Sequence, residues 1–213
     1  MKIDIISDVV CPWCYVGKKN LEAAMAQRPE ISFEIQWFPY QLHPEAPVAG
    51  YNYHQTIERK YGKAQASAMF ENLARAGQAA DIDFHLDKIE LGANTLQAHR
   101  LLDLAWHQGL QNELAEALFK AYFCEGEFVG DDTVLTKLAG EVGMDRHEVS
   151  DYLASDAGSE LVRKQIAFAR QNDVTGVPSF SFDGMFAISG GQAVEVFVSM
   201  IDRINNKSQA NAS

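Results

Sequence analysis

The sequence has no apolar stretch approaching the ~18 residues that a membrane-spanning helix requires. Its apolar opening, MKIDIISDVV, is broken by Asp4 and Asp8, and no small-residue cleavage pattern precedes Cys11. That argues against a secretory signal, and with Met1 as the start a cytoplasmic location is expected. Positive charge is also scarce. The 18 Lys and Arg face 29 Asp and Glu, a formal net charge of −11, and no basic run is long enough to follow a phosphate backbone. Neither a nucleic-acid nor a membrane partner is expected. Cysteine is rarer still, with three in 213 residues, too few for a disulfide scaffold. None of His43, His54, His85, His99, His107 and His147 forms an H-x₃₋₅-H pair, and Cys124 stands alone, so a four-ligand zinc site is disfavoured and no metal is expected. What remains, 47% hydrophobic and 22% charged, is the composition of an ordinary globular protein able to bury a sizeable core.

Against that background one short stretch stands out: SDVVCPWCYVG, Ser7 to Gly17, which holds two of the three cysteines at Cys-x-x-Cys spacing. In a reducing cytosol such a pair points to catalysis or metal binding rather than to a static cross-link. Covalent haem attachment would need His directly after Cys14, where Tyr15 stands. Ile3, Ile5, Ile6, Val9 and Val10 read as a short buried strand, and Cys11 to about Gln27 carries Leu21, Ala24 and Met25 at helical spacing. The cysteines therefore sit where a strand becomes a helix. A thiol there meets unpaired backbone N–H groups and the positive end of the helix dipole, which favours its thiolate and lowers its pKa. Cys11 is the expected nucleophile. Cys14, one helical turn deeper, is placed to resolve a mixed disulfide, and Pro12 suits an early helical position that needs no N–H.

Farther along, ISFEIQWF alternates Ile31, Phe33, Ile35 and Trp37 with polar residues, the period of a half-buried strand. Tyr40 to Gly50, with Pro39, Pro44 and Pro47 in or beside it, reads as an extended connection. A block of about six helices follows. The first is capped by Asn52 and runs to about Tyr61, and the next lies in KAQASAMFENLARAGQAA. Others cover Thr95 to Gln108, Gln111 to Cys124 and Val134 to Val142, then a short one opened by Asp145 and Glu148 and a long one ending near Asn172. VPSFSFDGMFAIS then predicts a β-hairpin turning at Asp183-Gly184. Ala193 to Ile204 predicts a last helix, and NNKSQANAS has nothing to bury. The order is β-α-β, helices, β-β-α. Its simplest assembly is an α/β fold that pairs the two strand-bearing ends in one sheet, with the helical block inserted between them.

SDVVCPWCYVGKKNLE, TGVPSF near residue 178, ISGGQ after the hairpin and NTLQAHRLL from Asn94 to Leu102 together resemble the DsbA-like branch of the thioredoxin superfamily, and most closely its FrnE-like group, over nearly the whole chain. The resemblance implies a discontinuous thioredoxin-like domain at residues 1–48 and 173–206, a large all-helical insertion at 49–172 and a disordered tail at 207–213. It also implies a redox-active Cys11/Cys14 centre and a cis Val177-Pro178 bond in a loop facing the cysteines; only X-Pro bonds adopt cis at modest cost. In the family that loop offers its backbone to an extended substrate or to glutathione. Pro12, Trp13, Val177, Pro178, Gly190, Gly191 and Gln192 are accordingly candidate substrate-binding residues, the last three resembling a segment whose N–H groups could receive a carboxylate. The plain alternative for that segment is a glycine break and a helix start. Trp13 stands where DsbA carries histidine, which predicts a couple more reducing than DsbA's −120 mV or so. Trp37, Phe38, Tyr40 and Leu42 are either an apolar wall near the thiols or simply core. Asn94, Thr95 and His99 read as a cap and a helix-face residue, and Cys124 as a partly buried thiol.

The leading expected function is thiol-disulfide exchange with protein or small-molecule partners, without a bound cofactor and with glutathione as a candidate co-substrate, by a monomer or homodimer. One alternative is a glutathione-dependent isomerase or transferase. 2-Hydroxychromene-2-carboxylate isomerases and kappa-class glutathione transferases share this resemblance, but typically carry serine where Cys11 stands. Another is a peptide-binding chaperone in which the disulfide only locks a conformation.

Overall fold

The computed structural model describes residues 1–212, with side chains through Lys207. Strand β1 (Lys2–Ser7) buries Ile3, Ile5 and Ser7 on alternate positions, as a period of two demands. After a turn at Val9-Val10 the chain enters α1 (Pro12–Ala26), with Pro12 in the first turn and Cys14, Leu21 and Ala24 among its buried residues. β2 (Glu34–Pro39) returns parallel to β1 in the register Ile3↔Ile35 and Ile5↔Trp37. At the other end of the chain β5 (Ser179–Phe182) pairs antiparallel with β1, and β6 (Phe186–Ser189) antiparallel with β5. The two ends thus share one sheet, ordered β2-β1-β5-β6. The last helix, α9 (Val194–Ala212), packs beside α1, and its Phe197 meets Phe180 edge-on at 4.9 Å.

Between those ends lies the helical insertion. It contains α2 (Tyr53–Tyr61), α3 (Lys63–Ala79), α4 (Leu96–His107), α5 (Gln111–Lys120), α6 (Asp132–Glu141), α7 (Arg146–Ala154) and α8 (Ser159–Gln171). Several starts follow from single side chains that satisfy otherwise unpaired helix N–H groups. Asn52 accepts from Gln55 N at 2.8 Å, and Asp145 from His147 N and Glu148 N at 2.8 and 2.9 Å. Leu101, Leu114, Leu118 and Phe119 are fully or almost fully buried and join the insertion's core to that of the sheet domain. No helix of the described residues is long and apolar enough to cross a membrane.

The structure departs from the sequence expectations in several places. β2 begins at Glu34 rather than Ile31, because Glu34 N bonds Met1 O at 3.0 Å and β1 offers no partner before that point. A two-stranded ribbon, β3 (Tyr51–Asn52) with β4 (Leu91–Gly92), ties the two sides of the α2–α3 pair, where only helix was expected. Tyr51 lies directly over Gly92 and leaves no space there for a Cβ. The helix expected to reach Cys124 stops at Lys120. A single π-turn over Ala121–Glu125 follows, in which Phe123 O accepts from His85 N at 2.9 Å. The hairpin turn spans three residues rather than two, with Asp183 and Gly184 at positive φ, and Asp183 Oδ1 accepts from Lys2 N at 2.6 Å. The backbone of α9 stays helical through Ala212, across most of the stretch expected to be a disordered tail. Once Phe197, Ile201 and Ile204 are packed, each further Asn, Lys, Gln or Ala extends an existing helix without a new nucleation cost. Ser213 lies outside the described residues.

Candidate active site

Cys11 is the N-cap of α1, in extended conformation at φ −97° and ψ 109°. Its carbonyl receives the first helical bond, from Cys14 N at 3.0 Å, while its own N–H bonds Asp8 O at 2.9 Å. Both cysteines are free thiols and both are buried, Cys11 at 4% exposure and Cys14 at 0%. Between them Trp13 remains 40% exposed, so the motif presents an aromatic face at the surface while its sulfurs sit just below. Burial, the largest influence, pushes the Cys14 thiol well above its usual range, and Cys11 beside it adds to this, against a smaller opposing influence from Ser7 and the Asp8 backbone.

A second segment closes over Cys11 from the far end of the chain. The Val177–Pro178 peptide is cis, and Cys11 Sγ–H points at Val177 O across 3.6 Å. Pro178 O accepts from Gly190 N at 2.8 Å, which links this loop to the start of the Gly190-Gly191-Gln192 segment. Asn20 on α1 donates to Gln192 O at 2.8 Å and fixes the other end. Gly191 passes so near the motif that a Cβ there would lie 2.9 Å from Trp13 O. Gly17, a turn further along α1, is constrained in the same way by Phe180 at 2.9 Å and Pro178 at 3.3 Å. All nine candidate residues, two cysteines and seven neighbours, therefore lie on three adjoining segments around α1's first turns.

A model of the DSBA-like thioredoxin domain family matches residues 2–202. The chain belongs to that family. Among solved structures it is similar to a probable DsbA oxidoreductase from Streptomyces coelicolor, with 33% identity, TM-score 0.87, and 95% of this chain and 89% of that one covered. It shares its fold with a 2-hydroxychromene-2-carboxylate isomerase, at 18% identity, TM-score 0.75 and full coverage of both chains. The fold is also that of the cytosolic disulfide reductase DsbM from Pseudomonas aeruginosa, solved with GSH, at 15% identity, TM-score 0.67, and 97% and 100% coverage.

In this DsbA-like chain the residues left open by the sequence fall mostly into structural places. Trp37 is buried against Phe119 and Tyr40 lies under the Arg170 guanidinium, so neither forms an exposed wall, whereas Leu42 is 39% exposed. Asn94 Oδ1 accepts from Leu96 N at 3.1 Å, while Thr95 makes no side-chain cap. Cys124 is half-buried on the π-turn, where burial first and then Asp83, Glu125 and Glu116 push its thiol up. Among the described residues no cluster of three or more His, Cys, Asp or Glu side chains could hold a metal.

Asp8 was missed as a site residue. It is wholly buried, three residues before Cys11, with Oδ2 accepting from Leu42 N at 2.7 Å and Oδ1 lying 3.4 Å from His99 Nε2. His99 Nε2 also lies 2.8 Å from Tyr40 O. The signal available in the sequence was an acid standing in an otherwise apolar run directly ahead of the motif.

Proposed function

We propose that the chain is a thiol-disulfide oxidoreductase in which Cys11 is the nucleophile and Cys14 the resolving thiol. The observation that carries this reading is Cys11 at the N-cap of α1 with its sulfur against Val177 O and Cys14 one turn deeper. The Cys11 thiolate attacks a substrate disulfide and forms a mixed disulfide, and one substrate sulfur leaves as a thiolate. The Cys14 thiolate then attacks Cys11 Sγ, the second substrate sulfur leaves, and the protein keeps both oxidised sulfurs as a Cys11–Cys14 bond. Run backwards, the same steps oxidise a dithiol.

Pro12, Trp13, Val177 and Pro178 would line the approach to Cys11, and the Gly190-Gly191-Gln192 segment would hold an extended substrate or the carboxylate of glutathione beside it. Glutathione as co-substrate and a cytoplasmic location belong to the same proposal. DsbM, described as cytosolic and solved with GSH, supports both by analogy of fold. An insulin-reduction assay with glutathione tests the reading. Cys11→Ser should abolish exchange, and Cys14→Ser should accumulate a mixed disulfide detectable by mass. Retained turnover in Cys11→Ser, with conversion of an aromatic electrophile in place of disulfide exchange, would turn the assignment to a glutathione-dependent isomerase or transferase.

A further inference from the structure

Trp13, Gly17 and Asn20 are spaced one and two turns apart on α1 and so share one face of the helix. That face lies against the chain between Val177 and Gln192. A Cβ on Gly191 would sit 3.3 Å from the Trp13 ring and 3.5 Å from Gly17 N, and one on Gly17 would meet Phe180 and Pro178. Two glycines thus let the helix and the Gly190-Gly191-Gln192 segment approach backbone to backbone, with no side chain between them to set the spacing. Hydrogen bonds set it instead. Gly190 N donates to Pro178 O at 2.8 Å and Gln192 Nε2 to Ser189 O at 2.7 Å, which ties the start of the segment to the ends of β5 and β6. The far end is tied to α1 by Asn20, whose Nδ2 donates to Gln192 O at 2.8 Å. That bond also sets a direction, because in a planar trans peptide the C=O and the following N–H point opposite ways. Asn20 draws Gln192 O inward to α1, so Ala193 N–H points outward. Gly190 O is likewise taken by Gln192 N at 2.9 Å, which turns Gly191 N–H away from that bond. Neither Gly191 N nor Ala193 N has a hydrogen-bond partner among the described residues.

We propose that Asn20 is a positioning residue for substrate: by anchoring Gln192 O to α1 it holds the Gly190-Gly191-Gln192 segment in place beside the motif, with its unpaired N–H groups set to receive the oxygen acceptors of a peptide-like disulfide. The inference rests on the reading above, in which this segment holds the substrate of the Cys11/Cys14 pair. Asn20 stands six residues beyond Cys14 and bonds the backbone of the segment, so it governs how tightly a substrate that reaches the segment is held and not the exchange of sulfurs. Glutathione disulfide carries peptide and carboxylate oxygens on arms that extend from its sulfurs. Hydroxyethyl disulfide has neither group and places nothing comparable on the segment.

Those two disulfides are the probes. Mixing the reduced protein with an excess of either, then counting the remaining free thiols by alkylation and mass, gives a single-turnover rate at each concentration. Asn20→Ala should raise the half-saturating concentration of glutathione disulfide by about 3- to 10-fold, the scale of one hydrogen bond, and hold the limiting rate within about twofold. Asn20→Asp keeps the shape, but its carboxylate donates no hydrogen bond at neutral pH, so it should have the same effect. In both variants the preference for glutathione disulfide over hydroxyethyl disulfide should fall by the same factor. A shift of less than about twofold in both variants, smaller than the weakest such bond gives, overturns the proposal. So does a shift in Asn20→Ala alone, or an equal loss with both disulfides, since either makes Asn20 a packing residue. An unaltered protein that reacts with neither disulfide defeats the dithiol reading instead.

Discussion

Trp13 is the residue whose chemistry most distinguishes this motif. It lies between Cys11, the proposed nucleophile at the helix start, and Cys14, the proposed resolving thiol one turn in, and at 40% exposure its indole faces outward. An indole donates only through its N–H and carries no charge, so it stabilises a neighbouring thiolate less than an imidazolium would. Trp13→His should therefore favour the reduced dithiol and raise its potential by about 30 mV or more, which is about tenfold in the exchange equilibrium. Equilibration against glutathione buffers, followed by trapping of free thiols, measures this; an unchanged potential removes Trp13 from the tuning role. Cys11, Cys14 and Trp13 were legible in the sequence because one helical turn brings near neighbours together. Asp8 and His99 were not. Whether an acid in an apolar run is buried beside a histidine ninety or so residues away depends on packing between β1 and α4, which no local pattern encodes.

Among the elements, β2 poses the clearest physical problem, since it is an edge strand with unpaired backbone groups on its outer side. The insertion answers it with one side chain. Gln111, at the first position of α5, accepts from Trp37 N at 2.8 Å through Oε1 and donates to Trp37 O at 3.0 Å through Nε2, taking the place of a neighbouring strand. Asn112 adds a bond from Trp37 Nε1 at 3.1 Å. Gln111→Leu keeps the volume but strands both backbone groups in a buried place. It should cost about 2–6 kcal/mol, at about 1–3 kcal/mol for each of the two unmatched groups. Urea unfolding measures that loss, and a loss under about 0.5 kcal/mol, the scale of an ordinary surface substitution, would show that water replaces the amide. The helices themselves were largely legible, because caps such as Asn52 and Asp145 and the buried stripes lie within each segment. The β3–β4 ribbon and the π-turn were not, since both are held from outside their own segments. Leu91-Gly92 pairs with residues forty positions earlier, and Phe123 O is drawn to His85 N.

At the scale of the molecule, the sheet domain and the insertion must act as one body for the site to hold its shape, and α1 is the element that joins them. Its Lys18 is 3% exposed, clasped by Glu22 at 2.5 Å and by Glu116 of α5 at 2.6 Å. Tyr15 donates to Glu116 at 2.9 Å and stacks on Phe119 at 5.2 Å. The same helix that positions Cys11 is thus fastened to the insertion by a partly buried ion cluster, and such a cluster depends on pH. Burial alone would raise the Glu116 carboxyl, but the Lys18, Tyr15 and Lys19 contacts outweigh it and hold the group below the usual carboxylate range. A carboxyl lowered by folding contributes stability at pH values above its unfolded value of about 4.3. That contribution disappears as pH falls through the lower folded value. Glu116→Gln removes this pH-dependent part and leaves Lys18 with Glu22 alone. The variant should be less stable by about 1–2 kcal/mol near neutrality, the scale of a hydrogen bond to a charged group. The gap should close as pH drops from about 5 to about 3, so that the two stability curves converge. Chemical denaturation at several pH values measures the curves. Parallel curves would mean that the cluster aligns α1 with α5 by shape alone, and that its charge contributes nothing to holding the site together.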